Sequence, residues 1–516
     1  MLSSGIFQST DVRWTLVAAA AALVCLPWVL RNRKPPLPPG PRGLPLVGNI
    51  FDAPIGEIWL QFAKLGDVWG DICSLTVFGQ TLVIVNTFQI AEDLLEGRGT
   101  NFSDRPVIPM GGELVGLKST LSLCQYGEHV RTVRKLFHQR FGTHAAIESL
   151  VPLISSEIHA LLQNIARDPG RVFDEIGRMT GGLSLRIAYG YHLVDGPAQD
   201  PLLREFETAA DNFASTTTPG AYLVDIIPSL KYWPEWLPGG GFHATAKIMR
   251  KQLVDTFDFA LEYVREQMAM GTAEKSFTSN LLEEQRYDDH FIKWAAATIQ
   301  AGGSDTAAAQ LNAFFLAMSI YPEVQAAAQK ELDSVVGKDR LPELSDRSEL
   351  PYVNALCKEV LRWHIAAPTA VPHRTREDFV YTRDGKPMLI PKDSMVIPNL
   401  WKMTHDPERY SDPMVFDPTR FIATESKSAE PDPTKICFGF GRRICPGRLL
   451  AETTLFLACS ALLASFDISK ARENGVVVEP RLGQTTGTVS HPFSFKCSVL
   501  PRSAKALELI RAGPGL

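Results

Sequence analysis

Residues 438–447 read Phe-Gly-Phe-Gly-Arg-Arg-Ile-Cys-Pro-Gly and stand just ahead of an apolar stretch with helical character. They gather three glycines and two adjacent arginines around Cys445. A thiol near a helix N-terminus meets unsatisfied N–H groups and the positive end of the helix dipole, which favour the thiolate. Gly441 and Gly447 let the backbone turn and approach a flat group closely. Arg442 and Arg443 add positive charge suited to a ligand that carries carboxylates. With no zinc spacing anywhere in the chain, a thiolate so placed suits a single axial bond to haem iron. Taken alone, the stretch also admits a buried structural cysteine.

Other residues could do chemistry. Ala301–Thr306, Ala-Gly-Gly-Ser-Asp-Thr, lies inside an otherwise helical run. Two adjacent glycines weaken a helix and make room over its face. Asp305 and Thr306 set an acid beside an alcohol, the pair a proton relay needs; by itself the segment also reads as a loop cap. Glu359 and Arg362, three apart, share one helical face, which alone describes a common surface pair. The eight cysteines are sparse and form no CxxC pair, so a disulfide framework is not expected and most should be buried free thiols.

These residues must be positioned by a large fold. The chain has 516 residues, 45% hydrophobic and 21% charged, with a formal net charge of -5 and no basic run. That balance gives no reason to expect nucleic acid. Trp14–Leu30 carries no charge and as a helix would span about 26 Å, at the short end for a bilayer core. Arg31, Arg33 and Lys34 follow it, which puts the C-terminal side in the cytosol. A cleaved signal peptide is the competing reading, but the apolar core exceeds a usual h-region and ends in a basic stop. The expected organisation is a short segment over 1–13, an anchor over 14–30, a basic and proline-rich spacer over 31–49, and one folded body over 50–516. Alternation over Asp71–Asn86 predicts a hairpin. Helical patterns cover Glu128–Phe141, Asp289–Ile320, Pro322–Val336, Leu350–His364 and Arg448–Phe466. The fold class is therefore mainly α (α+β), helix-rich with small sheets. Val224–Phe242, with Trp233 and Trp236, suits either a membrane–water interface or a loop packed on the body.

Phe438-x-x-Gly441-x-Arg443-x-Cys445-x-Gly447 matches the haem-binding signature of the cytochromes P-450, and the chain resembles that superfamily from about residue 35 onward. The resemblance implies haem b with Cys445 as the axial thiolate ligand. It implies that the helix bearing Asp305 and Thr306 crosses the distal haem face, where the pair delivers protons during oxygen activation. A second hydroxyl usually follows in the family, whereas Ala307 stands here. Glu359 and Arg362 would join Arg420, from Phe416-Asp-Pro-Thr-Arg-Phe, as a structural lock on the proximal core; Asp406–Tyr410 is a local decoy for that motif. Arg134, His373 and Arg443 would meet the haem propionates. Val130 occupies the place of the usual tryptophan, so one propionate bond is expected to be absent or supplied by a group such as His129.

The implied reaction uses O2 and two electrons to insert one oxygen atom into a lipophilic molecule, as a hydroxylation, an epoxidation or successive oxidations. No dinucleotide fingerprint is present, so electrons must come from another protein. The resemblance to membrane-anchored microsomal members, and most of all to fungal enzymes of secondary metabolism, implies an endoplasmic reticulum anchor with a cytosolic body. It also implies NADPH–cytochrome P-450 reductase as partner, cytochrome b5 as a second donor of that class, and a terpenoid, polyketide or indole-type substrate. Lys435, Arg442 and Arg448 are expected near the reductase surface. Val107–Cys124, Trp294–Thr306, Ile365–Pro372 and Thr485–Val489 are expected to face substrate. Two other classes stay open: a haem-thiolate isomerase or dehydratase needing no external electrons, and a non-catalytic haem or lipid binder.

Overall fold

Apolar alternation over 71–86 does fold as a hairpin. In the computed structural model, which describes residues 34–194, 199–218 and 220–512, β1 (Ile72–Val77) pairs antiparallel with β2 (Gln80–Val85). The intervening Phe78 and Gly79 both take positive φ, 47° and 83°, the twist a two-residue hairpin turn needs. Eight more strands follow late in the chain: β3 (His373–Arg374), β4 (Phe379–Arg383), β5 (Lys386–Ile390) and β6 (Met395–Pro398), then β7 (Phe466–Lys470) paired with β10 (Cys497–Pro501) and β8 (Arg472–Glu473) paired with β9 (Val476–Val477). The main sheet has the order β1-β2-β6-β3, with β2 and β6 parallel, while β4 and β5 form their own hairpin. Edge strand β3 carries His373 into the protein interior.

The rest is helical, and the longer helices are α1 (Ile58–Trp69), α2 (Glu128–Phe141), α3 (His144–Arg167), α4 (Val172–Tyr189), α5 (Pro201–Thr217), α6 (Phe242–Met270), α7 (Asp289–Ile320), α8 (Pro322–Val335), α9 (Pro351–Trp363) and α10 (Arg448–Ser465). The two glycines do not break α7, which runs unbroken with Asp288 as its side-chain N-cap. Helices α7 and α10 are apolar almost all round and buried along most of their length, the pattern of helices enclosed on every side. The largest core packs α3, α4, α7, α9 and α10 together; a second cluster lies under the sheet and around Phe440.

The expected anchor lies outside the described residues. The described part of the proline-rich stretch is not a free spacer. Leu389 N donates to Pro36 O (2.7 Å) and Ser74 N to Pro39 O (2.8 Å), and Lys34 pairs with Asp378 (2.7 Å). Prolines cannot donate but can accept, and these edges supply the donors. Trp236 is exposed and Trp233 is exposed at its ring edge, with its Nε1 donating to Pro238 O.

Candidate functional site

The loop ahead of α10 closes on itself where Cys445 N donates to Phe438 O (2.8 Å). Gly439 and Gly441 both take positive φ, 74° and 57°, so they permit the turn. At Gly441 a Cβ would stand 2.1 Å from Leu95 O, so the loop can press on the Glu92–Glu96 turn only with glycine there. Gly447 is different: its φ is -90°, and its contribution is the backbone N–H it offers to Cys445 as N-cap of α10. Phe438 is half-buried beneath the loop.

Cys445 is solvent-accessible although the elements around it belong to the core. Ala301 and Gly302, mid-way along α7, are exposed too, while Gln300 before them and Ala308 after them are buried. Accessible surface thus lies at two places set in the core, the cleft at Cys445 and the opened stretch of α7. Protein packed around Cys445 pushes its thiol pKa up; the Gly447 N–H, Arg134 and Arg448 oppose that push without overcoming it. The Gly447 N–H and the two arginines act in the direction the sequence suggests, toward the thiolate. A bound cation is the charge that deprotonates such a thiol.

Beside the cleft stand four nitrogen-bearing side chains. Arg134 Nη1 donates to Ile444 O (2.6 Å), the residue before Cys445. Arg443 donates to Ser103 O (2.8 Å), Leu121 O (3.0 Å) and Cys124 O (2.5 Å), tying the 103–124 loop down with three of its five N–H groups. His373 is buried and its Nδ1 donates to Phe102 O (2.6 Å). Burial first, then Arg105 and Arg443, hold it well below the usual imidazole range. Its one N–H is thus spent on a carbonyl, and it could donate to a carboxylate only as the imidazolium that an anion would restore.

Arg105 is the fourth, and sequence reasoning missed it. It is 5% exposed, donates from Nη1 to Val371 O (2.5 Å) and Pro372 O (2.9 Å), and leaves its buried Nε without a partner. Burial, then the positive charge of Arg443, pulls its pKa well down. Among the described residues no carboxylate pairs with Arg105, Arg134 or Arg443; the nearby Asp104 is taken by Arg376 (3.0 Å). Buried cations persist when paired, and this cluster fits a flat ligand bearing two carboxylates with a sulfur donor on its other side, as haem is held.

Across the cleft, the two glycines of α7 do separate jobs. A Cβ at Gly303 would lie 2.8 Å from Ser184 Oγ on α4, so Gly303 lets those helices close together. Gly302 faces open space, and its carbonyl accepts from Thr306 Oγ1 (2.8 Å). Asp305 does not bond Thr306; its Oδ1 accepts from His491 Nε2 (2.8 Å) in the C-terminal loop.

The proximal side carries the expected lock. Glu359 is 0% exposed and accepts from Arg362 Nε (2.7 Å) and Nη2 (2.8 Å), Arg420 Nε (3.1 Å) and Asp417 N (2.8 Å). Arg420 turns its Nη1 to a residue not singled out before, Glu430 (2.8 Å). Burial pushes the Glu430 carboxyl up, but Arg420 and Ser411 carry it below its ordinary value. Decoy Arg409 lies over the Phe88 ring, 4.5 Å from its centroid.

Val130 is fully buried in the main core. His129 packs edge-on against Phe291, 5.2 Å between centroids, and so turns toward the start of α7. Arg105 is a further cation beside Arg443 and Arg134. Lys435 and Arg442 are exposed, and Arg448 pairs with Glu452 (3.6 Å).

The Cytochrome P450 family model matches residues 38–497 of this chain. Cytochrome P450 monooxygenase 208 of Postia placenta is 45% identical over 500 residues, 96% of each chain. Cytochrome P450 monooxygenase claR of Ampulloclitocybe clavipes is 46% identical over 482 residues, 93% of this chain and 89% of its own. Cytochrome P450 monooxygenase CLM2 of Gibberella zeae is 38% identical over 490 residues, covering 92% and 91%. A family model matching most of the chain, and monooxygenase relatives up to 46% identical over nearly its full length, show that the chain belongs to the cytochrome P450 family and is one of its monooxygenases.

Proposed function

We propose that Cys445 is the axial haem ligand, that Arg105, Arg134, Arg443 and His373 receive the propionates, and that Asp305 and Thr306 deliver protons for oxidation of a lipophilic small molecule. The observation that carries this reading is that Cys445 is accessible while its neighbours belong to the core, and that Ala301 and Gly302 of α7 are accessible as well. When bound, haem supplies reduction of O2 and insertion of one oxygen atom, with the thiolate favouring O–O cleavage. The chain's own residues do the rest. Thr306 holds its hydroxyl over Gly302 O and, on swinging free, offers a proton donor to the cleft. Phe438 and the Cys445 N–H to Phe438 O bond fix the sulfur's direction.

Substrate recognition falls to apolar surface. A cavity of about 520 Å³ opens beside the 106–125 loop, where Val107, Ile108, Leu123 and Phe291 offer apolar wall and Glu113, Lys118 and Asp288 add charge, a lining for a lipophilic molecule that carries polar groups. This loop is tied to the 223–236 segment where Met110 N donates to Asp225 Oδ1 (2.7 Å) and Lys231 pairs with Glu113 (2.8 Å). Electrons come from NADPH–cytochrome P-450 reductase docking near Lys435, Arg442 and Arg448, with cytochrome b5 as a second donor. Trp14–Leu30 anchors the enzyme in the endoplasmic reticulum membrane. The substrate class is a terpenoid, polyketide or indole-type secondary metabolite.

The test is turnover of a lipophilic panel with reductase and NADPH under oxygen-18 gas. One labelled oxygen atom per product and NADPH-dependent turnover are expected. Product that forms without NADPH, or that carries no label, would replace this reading with electron-independent rearrangement.

A further inference from the structure

The acid of the acid–alcohol pair is not a bare carboxylate. Successive residues of a helix point about 100° apart, and Asp305 projects toward the C-terminal loop and α5 while Thr306 bonds back to Gly302. His491, 186 residues further on, donates to it from Nε2. A carboxylate only accepts, so Nε2 must carry a hydrogen. The other ring nitrogen, Nδ1, faces Asn312 Nδ2 at 3.4 Å, about two helical turns along α7 from Asp305. With Nε2 carrying that hydrogen toward Asp305, the ring stands between the carboxylate and the Asn312 amide.

The histidine is itself held. Its backbone N donates to Thr485 Oγ1 (3.0 Å) and its carbonyl accepts from Thr485 N (2.7 Å). The preceding Ser490 donates to Ala366 O (2.8 Å) and accepts from the buried His364 Nε2 (2.9 Å). On the far side of Asp305 stands Glu207 of α5, whose carboxyl is pushed up by burial, with Asp211 and Asp305 adding to that push against Gln199. Among the described residues, His491 is the donor recorded to the Asp305 carboxylate.

We propose that His491, oriented by Asn312 and Thr485, is the positioning residue of Asp305, so that the loop expected to contact substrate also sets the proton-delivering carboxylate. The inference rests on the reading of Asp305 given above. It extends that reading from two adjacent residues to a long-range pair.

The test compares Asp305→Asn, His491→Ala and His491→Gln in the reductase-reconstituted holoenzyme, scoring product and hydrogen peroxide per NADPH consumed. Loss of one charge-assisted bond predicts a roughly tenfold fall in product per NADPH for His491→Ala. His491→Gln, which keeps an N–H donor, should recover most of it, and His491→Ala added to Asp305→Asn should cost nothing more. A second readout needs no turnover: nitrogen-15 spectra of labelled histidine should show His491 as the Nε2–H tautomer in the parent and lose that preference in Asp305→Asn. If Asp305→Asn uncouples while His491→Ala stays within about twofold of the parent, the positioning role is wrong and the Asp305 reading stands. If Asp305→Asn is itself fully coupled, both fall. A His491→Gln protein as uncoupled as His491→Ala would also overturn the positioning role.

Discussion

Replacing Glu359 by Gln removes the charge between two buried arginines while leaving the shape nearly unchanged. Among the described residues Glu359 is the only acid that pairs with Arg362, and both are 0% exposed as side chains. Arg420 keeps Glu430 as an outer partner. In the variant, the amide oxygen can still accept from Arg420 or Asp417 N, but the amide NH2 would face the N–H groups of Arg362, donor against donor. Removing one partner of a buried pair costs about 3–5 kcal/mol because the remaining charge stays desolvated. Across 516 residues, an unfolding entropy of ~2 cal/mol/K per residue gives about 1 kcal/mol per degree, so the midpoint should fall by ~3–5 °C. The loss has a functional consequence, because Cys437 Sγ lies 3.3 Å from Leu361 O and ties the cysteine loop to the same helix. Haem dissociation should therefore quicken in step with the loss of stability. Differential scanning fluorimetry and transfer of haem to an apo-globin acceptor measure the two. Lys251→Gln, which breaks the exposed pair with Asp255, is the control and should change stability by under ~0.5 kcal/mol. A Glu359→Gln midpoint within about 1 °C of that control would refute the argument that this charge locks the proximal core.

Three further outcomes are expected. Thr306→Ala should keep haem and its spectrum while diverting NADPH electrons to peroxide, read from oxygen and peroxide stoichiometry; unchanged coupling would remove Thr306 from proton delivery. Arg105→Leu deletes a buried cation without a carboxylate partner; haem titration of the apoprotein should show affinity reduced ~10–100-fold, the worth of one charged hydrogen bond. Asp225, pushed up to about 6 from 3.8 by burial against the pull of the Met110 N–H, is neutral in the folded loop over the window where the unfolded chain ionises it. Its contribution is full below about pH 4 and is lost as pH rises through about 6, amounting to at most ~3 kcal/mol. Asp225→Asn should accordingly slow hydrogen exchange of the 109–115 segment at pH 7 and match the parent near pH 4.

Which parts of this were legible in the sequence follows from the range of the interactions. Helix α7 was legible to its ends because its apolar pattern and its Asp288 cap are local. The Cys445 loop was legible because a tight turn concentrates its glycines and arginines within ten residues. Glu359 and Arg362 were visible as a spacing of three, and Arg420 came through the resemblance. Arg105 was not legible: a single arginine in an irregular segment has no period, and its meaning comes from Arg443, 338 positions away, arriving beside it. Glu430 and His491 were hidden for the same reason, since each gains its role from a partner the fold brings from another element. The proline-rich stretch looked like a spacer because its carbonyls find donors only on strand edges the sequence does not place next to it.

The central claim is that Cys445 holds haem iron as a thiolate, and the most direct measurement is the absorbance of the reduced protein with carbon monoxide, for the parent and for Cys445→Ser. The parent should show the strongly red-shifted Soret band of thiolate ligation, and Cys445→Ser should lose it while still taking up some haem through the arginine cluster. A red-shifted band that survives in Cys445→Ser would contradict the assignment. So would a parent whose band is unshifted when freshly reduced.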